Sequence, residues 1–278
     1  YFDADGREQR QEAEVVVVAC NGIGTPRLLL NSRSRQFPDG LANSSGLVGR
    51  NLMFHPYALV EGLFDEPLDG PRGPHKSISS HQFYETDASR GFIRGFSFEM
   101  HRGRGPVNTA MRGMLSGRIP RGSDHHAACR GLIDRQTGVV ALCEDLPEPH
   151  NRVTIDESLK DPDGVPSAKV SYRVSENSRR MMEFAVRRGE EVLRAAGARE
   201  TETEAPMPYA GWHNMGTARM GTDPAGSVVN EWGRSHDVKN LFIVDGSLFV
   251  TSAAVNPTRT IQALALYVAD SIKSRLSN

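Results

Sequence analysis

Val15-Val16-Val17-Val18-Ala19 is a short apolar run without alternation, rich in β-branched side chains. That pattern predicts a strand buried on both faces of a parallel sheet. The run leads through Asn21-Gly22-Ile23-Gly24 to Thr25-Pro26 and then Leu28-Leu29-Leu30. The spacing predicts a helix with Thr25 as its N-cap and Pro26 at its first position. Upstream, Asp5-Gly6 predicts the tight turn of a hairpin. The last seventy residues repeat this logic. Leu241-Phe242-Ile243-Val244 predicts a buried strand, Asp245-Gly246-Ser247 a turn, and Asn256-Pro257 an N-cap followed by a helix start. Ile261, Leu264, Ala265, Val268 and Ile272 then fall on one helical stripe, widened by Ala263, Leu266 and Ala269, which predicts a largely buried helix.

The middle of the chain is patterned differently. Between Gly91 and Met100, Phe92, Phe96, Phe98 and Met100 occupy alternate positions, broken by Arg94. Val139 to Cys143 and Lys169 to Val174 also predict strands. Ser175 predicts the cap of a helix on which Met181, Met182, Ala185, Val192, Leu193 and Ala196 share a face, ended by Gly197. Antiparallel strands with one long helix make an α+β unit, placed at residues 63–208.

Composition narrows the function classes. The 278 residues carry 33 basic and 34 acidic side chains, a formal net charge of -1, which argues against general nucleic-acid binding. The longest hydrophobic run, Ala263 to Ala269, is too short to span a bilayer. Three cysteines, Cys20, Cys129 and Cys143, stand far apart with no CxxC, so neither a disulfide framework nor a zinc ribbon is indicated. Cys20 is expected to be buried. The first residue is Tyr1, and no signal-like segment follows it. The expectation is that the chain starts inside a longer protein, which leaves localisation open.

Three segments carry candidate chemistry. One is Asn21-Gly22-Ile23-Gly24-Thr25-Pro26-Arg27, running on to Gly46-Leu47-Val48-Gly49-Arg50-Asn51-Leu52. It is not G-x-G-x-x-G, because Arg27 stands at the third glycine position, and alone it is compatible with simple turn chemistry. Another is Trp212-His213-Asn214-Met215-Gly216-Thr217-Ala218-Arg219-Met220-Gly221. The third is Val244-Asp245-Gly246-Ser247, continuing to Val255-Asn256-Pro257-Thr258-Arg259-Thr260. In order and approximate spacing, these segments resemble the C-terminal half of the glucose–methanol–choline (GMC) family of FAD-dependent oxidoreductases, most closely its gluconate-dehydrogenase-like branch.

The resemblance implies an α/β FAD-binding domain, present in part and split between residues 1–62 and 209–278. The α+β substrate-binding domain of 63–208, built on an antiparallel sheet, would be inserted between them. It also implies oxidation of a CH–OH group in an alcohol, sugar or sugar acid. His213 would take the hydroxyl proton and Asn256 would hold the substrate oxygen. A histidine suits the first role because its unperturbed pKa is about 6.5. The cofactor is FAD, and the matching positions are Asn21, Gly22, Gly24, Thr25, Asp245, Gly246, Asn256, Pro257 and Thr258. A helix opening at Pro257 would turn partial positive charge toward a flavin that gains negative charge on reduction. The family's N-terminal dinucleotide fingerprint is absent from these residues, so the missing half of the FAD domain is an expected partner. An electron-acceptor protein is a further one.

Other readings weigh against this one. The chain could be a non-catalytic remnant or binding module of the same fold. A metal-dependent hydrolase using His125, His126 and His213 ranks lower, because adjacent histidines do not share a ligand-presenting face and no HExxH occurs. His125, His126, Cys129 and His150 are expected in loops, and no metal is expected. Arg102, Arg104, Arg112, Arg118, Arg121, Arg130 and Arg135 face only Asp124 and Asp134 between His101 and Arg135. They predict a solvated loop or, more sharply, a site for a carboxylated sugar.

Overall fold

The two ends of the chain meet in a parallel pair, Val16–Val18 against Leu241–Ile243, with Val17 opposite Phe242. The computed structural model describes residues 1–276 except Pro71, His75 and Tyr209. In chain order the elements are β1 (Val16–Val18), α1 (Asn21–Asn31), β2 (Tyr57–Leu63), β3 (Lys76–Ser80), β4 (Phe96–His101), α2 (Pro106–Leu115), α3 (His125–Leu132), β5 (Gln136–Cys143), β6 (Arg152–Lys160), β7 (Pro166–Ser171), α4 (Glu176–Ala195), β8 (Glu200–Glu204), β9 (Leu241–Ile243) and α5 (Thr258–Leu276).

The largest sheet is antiparallel, in the order β3-β4-β5-β2-β8. Side chains alternate across it with period two. Ala58, Val60, Phe96, Phe98, Val139, Ala141 and Cys143 form one face and pack on Met181, Met182, Ala185 and Leu193 of α4. Ser175 caps that helix through its hydroxyl, which accepts the Ser178 N–H, and Gly197 follows its end at φ 98°. Gly189 lets the helix approach, since a Cβ there would lie 2.9 Å from a Val60 methyl. Val192 and Ala196, expected on the buried face, are exposed. The other face of the sheet presents Tyr57, Leu59, Val140 and Leu142 against Met207 and Ala210. Farther along it presents glutamates. The sheet starts at Tyr57, so β2 runs through position 62, where the expected division of the chain falls.

The arginine-rich segment is helical in α2 and α3 rather than a solvated loop, and His125, His126 and Cys129 belong to α3. Its side chains reach the sheet. Arg104 bonds Glu61, Arg112 lies 3.0 Å from Glu204, and Arg118 is 3.8 Å from both Glu200 and Glu202. The hairpin of β6 and β7 was expected only at its second strand. It packs on α1, where Arg27 donates to Asp161 at 2.7 Å and to the Val165 and Pro166 carbonyls.

Helix α1 begins at Asn21, five residues before its expected first position, Pro26. Asn21, at φ 61°, does the capping, its Oδ1 accepting the N–H groups of Ile23 and Gly24. Thr25 and Pro26 therefore lie inside the helix. Proline has no N–H to give to the carbonyl four residues back, and that Gly22 carbonyl accepts from Thr217 Oγ1 at 2.8 Å instead. Helix α5 starts at Thr258, one residue later than expected, with the Pro257 carbonyl accepting from Ile261.

Burial at the parallel pair departs from expectation. Val18 is buried, but Val16 and Val17 are 44% and 50% exposed, and Cys20 is exposed. On α5, Val268 is buried while Leu266 is 71% exposed, and Ala263 and Ala269 are exposed too. A continuous apolar run is buried on both faces only when layers cover both, and here the described residues cover one. Among the described residues, no helix is long and apolar enough to cross a membrane.

Candidate active site

Strand-like pairing between Met53 and Met215 sets up the centre of the site. Each donates its N–H to the other's carbonyl, at 2.9 and 3.0 Å. Two residues farther in each direction, the antiparallel register puts His55 opposite His213. Their Nδ1 atoms are 2.7 Å apart. His55 Nε2 faces the carbonyls of Ser252 at 3.2 Å and Ala253 at 2.9 Å, and the Tyr57 hydroxyl lies 3.2 Å from His213 Nδ1. Tyr57 also packs edge-on against the exposed Trp212.

Burial sets the charge of both rings. His55 is 1% exposed, and desolvation, with His213 adding to it, lowers its pKa from 6.5 to about 4. His213 is half-buried and is lowered by desolvation and then by the Lys76 ammonium, with Glu99 opposing. Both imidazoles are therefore neutral near pH 7. The 252–254 loop that holds His55 is anchored by Asp145. The Asp145 N–H donates to Ser252 Oγ at 2.8 Å, and the Asp145 carboxylate accepts from Tyr172 Oη at 2.7 Å. Burial raises the Asp145 carboxyl to about 6.

Asn256 is reached from β4. Ser97 Oγ donates to the Ala254 carbonyl, and two residues on, Glu99 accepts from the Asn256 amide. The Lys76 ammonium bonds the second oxygen of Glu99. One amide N–H of Asn256 is committed to Glu99, and among the described residues none accepts from the other.

The remaining predicted residues brace one another. Thr25 Oγ1 donates to Asp245 Oδ2 at 2.5 Å and accepts the Cys20 N–H, so both of its functions are internal. A Cβ on Gly22 would lie 2.6 Å from the Asn214 carbonyl carbon, and one on Gly246 would lie 2.6 Å from the Asn214 oxygen. Both glycines thus admit the backbone beside His213. A Cβ on Gly24 would meet the Cys20 Cβ at 3.0 Å. Gly216 and Ala218 donate to the carbonyls of Gly246 and Ser247. All three motifs, distant in sequence, converge here. Asn21, Thr258, Arg259 and Thr260 are exposed at the adjoining helix starts, while Pro257 is buried.

Residues 147–265 match the family model described as GMC oxidoreductase. The chain belongs to the GMC oxidoreductases. Relatives match this GMC chain along its whole length. It is 42% identical to 2-methyl-1,2-propanediol dehydrogenase of Mycolicibacterium austroafricanum, covering 100% of this chain and 51% of that protein. It is 32% identical to the fructose dehydrogenase large subunit of Gluconobacter japonicus, covering 99% and 50%. The chain spans about half the length of the curated relatives it matches. Its fold resembles that of pyridoxine 4-oxidase from Mesorbium loti, with a TM-score of 0.60 at 16% identity over 92% of this chain and 51% of that one. GMC oxidoreductases are FAD flavoproteins.

The low-ranked metal-hydrolase alternative and the reading of the arginines as a carboxylate site both lack support in this GMC chain. Among the described residues, no group of three His, Cys, Asp or Glu side chains could hold a metal ion, so His125, His126 and His213 do not assemble into one. Arg104, Arg112 and Arg118 are engaged with glutamates of the sheet instead of standing open for a carboxylate. His55 and Glu99 were missed. Nothing marks them locally, and only the Met53–Met215 pairing and the register of β4 bring them to the site.

Proposed function

We propose that this chain is the half of an FAD-dependent oxidoreductase that carries the proton-accepting histidine for oxidation of a CH–OH group. The substrate class is an alcohol, sugar or sugar acid. The observation that carries the reading is the convergence of three distant motifs around His213, a half-buried imidazole held neutral within electrostatic reach of Glu99, the carboxylate that accepts from Asn256.

The residues present fit FAD. Ser247 Oγ, fully buried in the Asp245-Gly246-Ser247 turn, has no hydrogen-bond partner among the described residues, so a polar group there is left for a ligand. The first turn of α5 offers N–H groups and partial positive charge, with Asn256 and Thr258 exposed at its mouth. Asn21, Gly22 and Gly24 belong to the first turn of α1, and Thr25 with Asp245 keeps that start against the Gly246 turn. FAD, when bound, supplies the hydride acceptor. His213 takes the hydroxyl proton of the substrate, and the free amide N–H of Asn256 donates to the oxygen as it gains negative charge.

We infer that the flavin-side unit consists of the two ends of the chain, joined through β1 and β9, and that the antiparallel sheet with α4 walls the substrate space. Relatives about twice as long support a flavin site completed by chain outside residues 1–278. The test is to express residues 1–278 alone and joined to the N-terminal half of a full-length protein. The joined protein should show the visible flavin spectrum and reduce a dye when given an alcohol or sugar. A full-length protein without flavin would contradict the proposal.

A further inference from the structure

Two backbone carbonyls decide the protonation of a pair of rings. A carbonyl oxygen only accepts, so His55 Nε2, 3.2 Å from the Ser252 oxygen and 2.9 Å from the Ala253 oxygen, carries a hydrogen and donates it. A neutral imidazole has one N–H, which leaves His55 Nδ1 with a lone pair. The atom facing that lone pair at 2.7 Å is His213 Nδ1. Two lone pairs at that distance repel, so His213 Nδ1 carries the hydrogen and donates it. The Tyr57 oxygen, 3.2 Å from the same nitrogen, then serves as a second acceptor of that N–H.

We propose that His55 is a positioning residue that locks His213 in its Nδ1–H form, so that the lone pair available to a substrate hydroxyl is on Nε2. The chain of donors starts at the 252–254 backbone, passes through His55 and ends at His213, and it needs no carboxylate. Asp145 contributes only by anchoring that backbone. The proton step follows directly. The substrate O–H bond breaks, its proton adds to His213 Nε2, and the Nδ1–H stays bonded to His55. The bond to His55 becomes charge-assisted as His213 gains its positive charge, which strengthens it when the proton arrives. This inference rests on His213 being the base, but the tautomer itself is a property of the chain without any cofactor.

Nitrogen-15 NMR of the histidine-labelled 278-residue chain at pH 7.5 reads the tautomer directly, because a protonated and an unprotonated ring nitrogen resonate far apart. His213→Gln and His55→Gln assign the signals. The result expected is Nδ1–H for His213 and Nε2–H for His55. His55→Asn places Oδ1 where Nδ1 was and should keep His213 in the Nδ1–H form, whereas His55→Leu should release it to a mixture or to Nε2–H. In the full-length flavoprotein, His55→Leu should lower kcat tenfold or more, with an upper bound of about 10⁴, the cost of a wrong tautomer in a serine protease. His55→Asn should restore most of that loss, with KM little changed in either variant. An Nε2–H signal for His213 in the wild type, or an unchanged signal in His55→Leu, would overturn the proposal. If the tautomers are as stated while His213→Gln turns over normally, the reading of His213 as base fails and the lock stands.

Discussion

Thr25 and Asp245 are 220 positions apart in sequence and share a 2.5 Å hydrogen bond, the hydroxyl donating to a carboxylate that is 7% exposed. That bond ties the start of α1 to the turn after β9. Thr25→Val keeps the shape and removes the donor. The expected cost is about 1–3 kcal/mol, because a buried acceptor is left unsatisfied. Thr25→Ser should recover most of it in the same thermal melts.

Two buried groups make the pH dependence of stability informative. His55 falls from 6.5 to about 4, so the unfolded chain binds more protons between those values, and stability is lost as pH drops through that window. Asp145 rises from 3.8 to about 6, so the folded chain binds more protons there, and stability is gained as pH drops. Each is worth on the order of 3 kcal/mol, and the two largely offset between pH 6 and 4. Relative to wild type, His55→Asn should therefore lose less stability on going from pH 6.5 to 4.5, and Asp145→Asn should lose more. Tm measured against pH for the three proteins separates the contributions. Parallel curves would show that neither group has the shift described.

Gly22 is needed for its missing Cβ, since any side chain there would run into the Asn214 backbone. Gly22→Ala should cost about 1–3 kcal/mol as the chain shifts to relieve the overlap. Gly131→Ala in α3 meets nothing within 4 Å and should be neutral or stabilising, since alanine is the better helix former. Equal melting temperatures for the two variants would contradict the close approach.

Much of the scaffold was legible in local pattern. The Ser175 cap, the Gly197 stop and the turn at Asp245 each depend on a few adjacent residues, and they stand where the sequence put them. Failures came where a distant partner decides. Thr25-Pro26 has the local form of a helix start, yet Asn21 caps four residues earlier, and the carbonyl freed by Pro26 is claimed by Thr217. The apolar runs at Val16 and Leu266 promised burial that requires a second layer. His213 and Asn256 could be named as candidates from their motifs. His55 and Glu99 could not, because their roles come from cross-strand register, which a local pattern does not encode. The arginines were visible as a cluster, but their glutamate partners on β2 and β8 were not.

The most direct test of the account is flavin reduction in a full-length protein containing His213→Gln. Rapid mixing with an alcohol or sugar substrate under anaerobic conditions follows bleaching of the flavin. The account predicts a bound flavin with an unaltered spectrum and a reduction rate lower by roughly 10²–10⁴-fold, the usual contribution of a positioned base. Reduction at the wild-type rate would remove His213 from the chemistry and contradict the proposed function.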